Sequence, residues 1–102
     1  VSTTRRIQRL ERDDTDRLIR SSVGPSGVML LRFLMRQPVV RVKDVQQALS
    51  VSYNKANTLI TEAERIGVLQ QITQGRRNRK FKYKAYVDIL AEGTELQFSE
   101  QG

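Results

Sequence analysis

The densest concentration of chemistry in the chain lies between residues 68 and 86, where Arg76, Arg77, Arg79, Lys80, Lys82 and Lys84 stand with no acidic residue among them. A short segment carrying six cations suits neutralisation of a polyanion, because each can sit against one phosphate and release a counterion. A second set lies upstream: Ser52, Tyr53, Asn54, Lys55, Asn57, Thr58 and Thr61. Asn matches the edge of adenine, Lys meets guanine or phosphate, and Ser, Thr and Tyr donate to phosphate oxygens, so on one exposed helix face this set suits recognition of a duplex. Glu62 and Glu64 offset Lys55 and Arg65, so the stretch over 53–66 is formally neutral, and the two acids oppose phosphate wherever they face it.

Other chemistry is excluded by what is missing. The chain has no histidine and no cysteine, which removes the commonest general base, thiolate metal sites, disulfides and every imidazole-dependent triad. Asp13, Asp14 and Asp16 lie close together, but among arginines they read as a charged helix face and not as a metal site. There is no phosphate-binding loop and no glycine-rich dinucleotide turn. No catalytic residue, metal or cofactor is therefore expected. The longest apolar run, Val28 to Leu31, is far short of the roughly 20 residues of a membrane span, and residues 5–17 alternate arginine with acid where a signal peptide would be apolar. A cytoplasmic chain with no membrane partner is expected. The start at Val1 leads us to expect processing or, in preference, a domain cut from a longer protein.

The elements that must position these residues follow from periodicity and breakers in a chain of 102 residues, the size of one domain. A charged amphipathic helix is expected over 4–21, with Ile7, Leu10, Leu18 and Ile19 as a stripe too thin to bury much. It is covered by another chain or a missing domain, or it is solvated and laced by pairs such as Asp16 with Arg20. Gly24 and Pro25 break it. A second helix over 26–36 places Met29, Leu30, Phe33 and Leu34 inward and ends before Pro38. Val39 to Arg41 is a short strand. A helix over 42–49 turns Val42, Val45, Ala48 and Leu49 inward, Ser50-Val51 makes a tight corner, and Ser52 caps a helix over 53–66 that ends at Gly67. Strands over 68–73 and 80–86 flank a loop at 74–79, with Lys80, Lys82 and Lys84 on one face and Phe81, Tyr83 and Ala85 on the other. Tyr83 and Tyr86 read as packing residues. One or two helical turns close the domain near Leu90.

This order predicts a mostly α chain with a small β-hairpin: a winged helix-turn-helix over 23–92 preceded by an amphipathic linker or dimerisation helix over 1–22, and followed by a flexible acidic tail over 93–102. The helix over 53–66 is then the recognition helix, and Arg76, Arg77, Asn78, Arg79 and Lys80, with Lys82 behind them, form the wing. If about four wing cations touch phosphate, log affinity falls against log salt with a slope near −3.6.

Several pieces together resemble the C-terminal winged-helix domain of bacterial Fic family proteins: Pro38-Val39-Val40, Val42 to Val45, Val51-Ser52-Tyr53, Ala56-Asn57, Leu59-Ile60, Gly67-Val68-Leu69, Gly75 to Arg79, and Tyr83 with Tyr86 to Leu90. The charged stretch from Leu10 to Arg17 is similar to the linker helix before that domain. The resemblance implies an accessory domain in transcription regulation with a Fic domain on its N-terminal side. The family's catalytic motif, a histidine followed by an anion loop and an arginine, is absent, so adenylyl transfer belongs to a part of the parent protein outside this sequence. Two functions follow as expectations: a module that binds duplex DNA, or a protein-interaction or dimerisation domain, homodimeric through the N-terminal helix, that does not.

Overall fold

The computed structural model describes residues 2–101, with side chains through Glu92. Helix α1 (Thr3–Arg20) starts at Ser2, whose hydroxyl accepts from the Arg5 amide at 3.2 Å, a side-chain cap for an otherwise orphaned donor. Its apolar stripe closes on its own chain: Leu18 is fully buried and Leu10 packs against the same core. The Asp16 to Arg20 pair forms on the outer face at 3.1 Å.

Helix α2 (Ser26–Arg36) has the expected span, but its inward stripe is Gly27, Leu30, Leu31 and Leu34, while Met29 is 54% exposed. The helix is rotated by about one residue relative to the expected stripe, and Gly27 supplies the reason. A Cβ there would lie 2.6 Å from the Leu18 Cβ, so α1 and α2 approach more closely than any side chain at 27 permits. Gly27→Ala is expected to destabilise the domain by about 1–3 kcal/mol through overpacking, since the ~1 kcal/mol gained in helix propensity cannot offset a clash involving two backbones. Urea unfolding measures this; an unchanged midpoint would show that the helices separate freely.

Strand β1 (Val39–Val40), helix α3 (Val42–Leu49), helix α4 (Tyr53–Arg65), strands β2 (Leu69–Gln71) and β3 (Phe81–Tyr83), and helix α5 (Lys84–Gln101) complete the chain. The sheet is three-stranded and antiparallel in the order β1-β3-β2, with Val40 opposite Phe81 and Leu69 opposite Tyr83. Those four side chains are buried under the helices, and Val39, Gln70 and Lys82 turn away from them. The expected hairpin thus gains a third strand. Within α3, Val42, Val45 and Leu49 are buried, but Ala48 is exposed. Ser50 makes the corner in the left-handed region at φ 55°, and Gly67 closes α4 at φ 87°, the conformation that favours glycine after a helix.

Both strands are shorter than expected; β3 ends early because the chain turns helical at Lys84, where the ammonium pairs with Asp88 one turn on at 2.6 Å. Ala85 is therefore exposed on α5, not inward on a strand. The acidic tail over 93–102 lies, in its side chains, outside the described residues; the backbone of α5 continues past Gly93 to Gln101.

Asp14 corrects the reading of the three acids on α1. It is buried, 4% exposed, and its Oδ2 accepts from the Tyr83 hydroxyl at 2.7 Å while Oδ1 accepts from Arg17 at 3.0 Å. Burial and the neighbouring Asp14 carboxylate push the Tyr83 phenol well above its ordinary value, in keeping with its place as the donor of this bond. Arg17 also donates to the Ile66 carbonyl, closing the C-terminal end of α4. A partner 69 residues away makes α1 a structural part of the domain. Tyr83→Phe removes one of the two partners of a buried carboxylate and is expected to cost about 1–3 kcal/mol, read as a lower denaturation midpoint; Asp13→Ala, on the exposed face, is expected to leave it unchanged.

Candidate nucleic-acid interface

The corner between α3 and α4 brings two helix N-termini and the loop between β2 and β3 around one open groove of about 420 Å³, lined by Arg41, Val42, Lys43, Tyr53, Arg76, Asn78 and Arg79. Each wall has a local cause. Asp44 accepts from the Arg41 amide at 2.8 Å, capping α3 and turning that carboxylate back on its own helix. Ser52 Oγ accepts from the Lys55 amide at 3.1 Å, which starts α4 and leaves Tyr53 54% exposed at the groove.

The loop is held from both strands. The Gln71 side-chain amide donates to the carbonyls of Thr73 at 2.9 Å and Gly75 at 3.0 Å, and the Thr73 hydroxyl accepts from the Lys80 amide at 3.1 Å. Gly75 at φ 88° and Asn78 at φ 53° turn the chain at its tip, conformations that glycine and asparagine tolerate best.

Among the described residues, the groove lining carries four cations, Arg41, Lys43, Arg76 and Arg79, and no carboxylate. Peptide dipoles at the two helix starts add partial positive charge. Among the described residues no helix is long and apolar enough to cross a membrane, and no cluster of acidic side chains is placed to hold a metal ion.

The structure sorts the sequence-derived residues. Tyr53, Arg76, Asn78 and Arg79 share the groove. Asn54, Lys55, Thr58 and Thr61 are exposed along α4, and Arg77 is exposed beside Arg76 in the loop. Thr58 spends its hydroxyl on the Asn54 carbonyl at 2.9 Å, and Ser52 is occupied as a cap. Asn57 is half-buried and accepts from Arg79. Lys80 and Lys82 are half-buried on the sheet side, while Lys84 stands on α5 in its pair with Asp88, so the three lysines do not form one row.

Glu62 is directed away from the groove. It accepts from the Ser22 hydroxyl and pairs with Arg65, and these two contacts, Ser22 first, hold its carboxyl below the usual value. It lies ten positions beyond the Ser52 cap, about 15 Å at the helical rise.

Arg41 and Lys43 were missed by sequence reasoning. Their signal was an excess of four basic over one acidic residue across 23–49, but Arg32 and Arg36 share that excess, and only the fold separates the pair at the mouth of α3 from the pair on α2.

Fold and site together define a mostly helical domain with a small three-stranded antiparallel sheet and a cationic groove where two helices begin. No protein-family model, curated protein or solved structure matches the chain.

Proposed function

We propose that the chain is a winged helix-turn-helix module that binds duplex DNA. The observation that carries this reading is the groove between the start of α4 and the hairpin loop, walled by Arg41, Lys43, Tyr53, Arg76 and Arg79 without an acid. In this mode α4 enters the major groove by its first turns, where Tyr53, Asn54 and Lys55 are exposed, and the loop lies along the flanking backbone as a wing. Glu62 and Glu64, in the last turns of α4, stay outside a major groove about 8.5 Å deep. Arg76, Arg77, Arg41 and Lys43 supply the phosphate contacts, four in number, which sets the expected salt slope near −3.6.

Fluorescence anisotropy of a labelled generic duplex across a salt series tests the reading. Binding that weakens along that slope supports it; no binding at about 50 mM salt, where the electrostatic attraction is strongest, overturns it. The resemblance over 38–90 supports a cytoplasmic accessory role beside a Fic domain, with catalysis elsewhere in that protein. The reading frame upstream of Val1 tests this point: a histidine-containing Fic motif there supports it, and a different upstream domain contradicts it.

A second reading, a surface that docks another protein chain, draws on the outer face of α1 and α2. There Ile19 and Val28 line an open groove among Glu11, Asp13, Asp16, Arg12 and Arg32, and Ile19 and Met29 are 40% and 54% exposed. Sedimentation separates the two: a strictly monomeric chain that binds duplex excludes self-association as the primary role.

A further inference from the structure

The cations of the hairpin loop are not equivalent. Arg76 and Arg77 are exposed, and neither takes part in an ion pair among the described residues. Arg79 is half-buried: its guanidinium lies 5.3 Å from the centroid of the Phe81 ring, and its Nη2 donates to Asn57 Oδ1 at 3.0 Å. Phe81 is fully buried in the core, and Asn57 lies in the second turn of α4. The base of the loop is thus tied at once to the sheet and to the helix.

Asn57 Oδ1 is the atom that would accept the adenine amino group in a bidentate asparagine contact. It is committed to a charged donor, which makes a stronger hydrogen bond than a neutral one. The guanidinium, held between that oxygen and the Phe81 ring, is drawn back from the loop tip.

We infer that Arg79 and Asn57 form a strut that sets the wing against α4, and that neither contacts DNA; the inference rests on the duplex-binding reading above. Both are positioning residues. With the strut in place, Tyr53 to Lys55 and Arg76-Arg77 form one rigid footprint, and the ordering of the loop is completed on folding and not on binding. Base reading falls to Asn54 and Lys55, and Asn57 specifies nothing.

The test compares Asn57→Ala, Arg79→Ala and the double variant on the same duplex across a salt series, with thermal unfolding and backbone amide relaxation of each free protein. Asn57→Ala removes no charge, yet is expected to weaken binding about as much as Arg79→Ala, roughly fivefold. The double variant is expected to be no weaker than either single one, and sequence preference to be unchanged. Increased fast motion of residues 74–78 in both single variants is expected without DNA. A wild-type affinity for Asn57→Ala, with a salt slope shallower by about 0.9 for Arg79→Ala, would make Arg79 a phosphate contact and overturn the strut. Relaxed preference at one base pair in Asn57→Ala would make Asn57 a reader and overturn it equally. Failure of the wild-type chain to bind any duplex defeats the DNA reading alone; unchanged loop relaxation in the variants defeats the strut.

Discussion

A chain that begins at Val23 is expected to lose its cooperative fold. The deletion removes Leu18, which is fully buried; truncating a single such leucine to alanine costs about 2–5 kcal/mol. It also removes Asp14, the acceptor of the Tyr83 hydroxyl, and Arg17, which closes α4 at Ile66. The Gly27 side of α2, shaped for close contact with α1, then opens to water. Against a total stability of about 5–15 kcal/mol for a domain of this size, these losses take most of what holds it together. Circular dichroism and the dispersion of amide resonances measure the result. A broad, non-cooperative melt and collapsed dispersion are expected; a sharp transition at the full-length midpoint would show that α1 is an appendage.

Reading α1 as a separate linker was natural from the sequence, and Asp14 shows why. A carboxylate between Asp13 and Thr15 on a helix full of arginines has the local signature of a solvated face. Its burial depends on a tyrosine 69 residues further on, and no periodicity within α1 encodes that partner. The phase of α2 failed for a similar reason. Met29 and Leu31 are both large and apolar, and the choice between them follows from the contact at Gly27. Elements bounded by local chemistry were legible: Pro38 ends α2, Ser52 caps α4, and Gly67 closes it. The end of β3 carries no such marker, so the alternation runs on through Lys84 although that residue opens α5. At the groove, Tyr53 and the loop arginines were legible as exposed polar positions, whereas Arg41 and Lys43 acquire meaning only when the corner at Ser50 folds α3 back beside the loop. The internal use of Arg79 by Asn57 was equally hidden, because both residue types read as binders when considered singly.

Replacing Arg76 and Arg77 together by alanine is expected to give the largest change in duplex binding. Each phosphate contact contributes about 0.9 to the salt slope, so the pair makes it shallower by about 1.8, which at 0.1 M salt corresponds to about a 60-fold loss of affinity if the contacts are neutral at 1 M. Both side chains are exposed, so the melting midpoint is expected to stay within the error of the measurement. Arg5→Ala with Arg9→Ala is the control. These two residues are also exposed and their removal lowers the net charge of +7 by the same amount, but they lie on α1, outside the groove lining. An unchanged slope there, with a shallower slope for the loop pair, ties binding to the groove; equal losses from both pairs would reduce it to non-specific attraction by net charge.

The most direct test of the groove as a duplex site is amide chemical-shift mapping of the full chain during titration with a short duplex at about 50 mM salt. The largest perturbations are expected at Arg41 to Lys43, Ser52 to Lys55 and Arg76 to Asn78, with the outer face of α1 and α2 silent. Perturbations confined to the face around Ile19, Val28 and Met29, or none at any concentration of duplex, would contradict it.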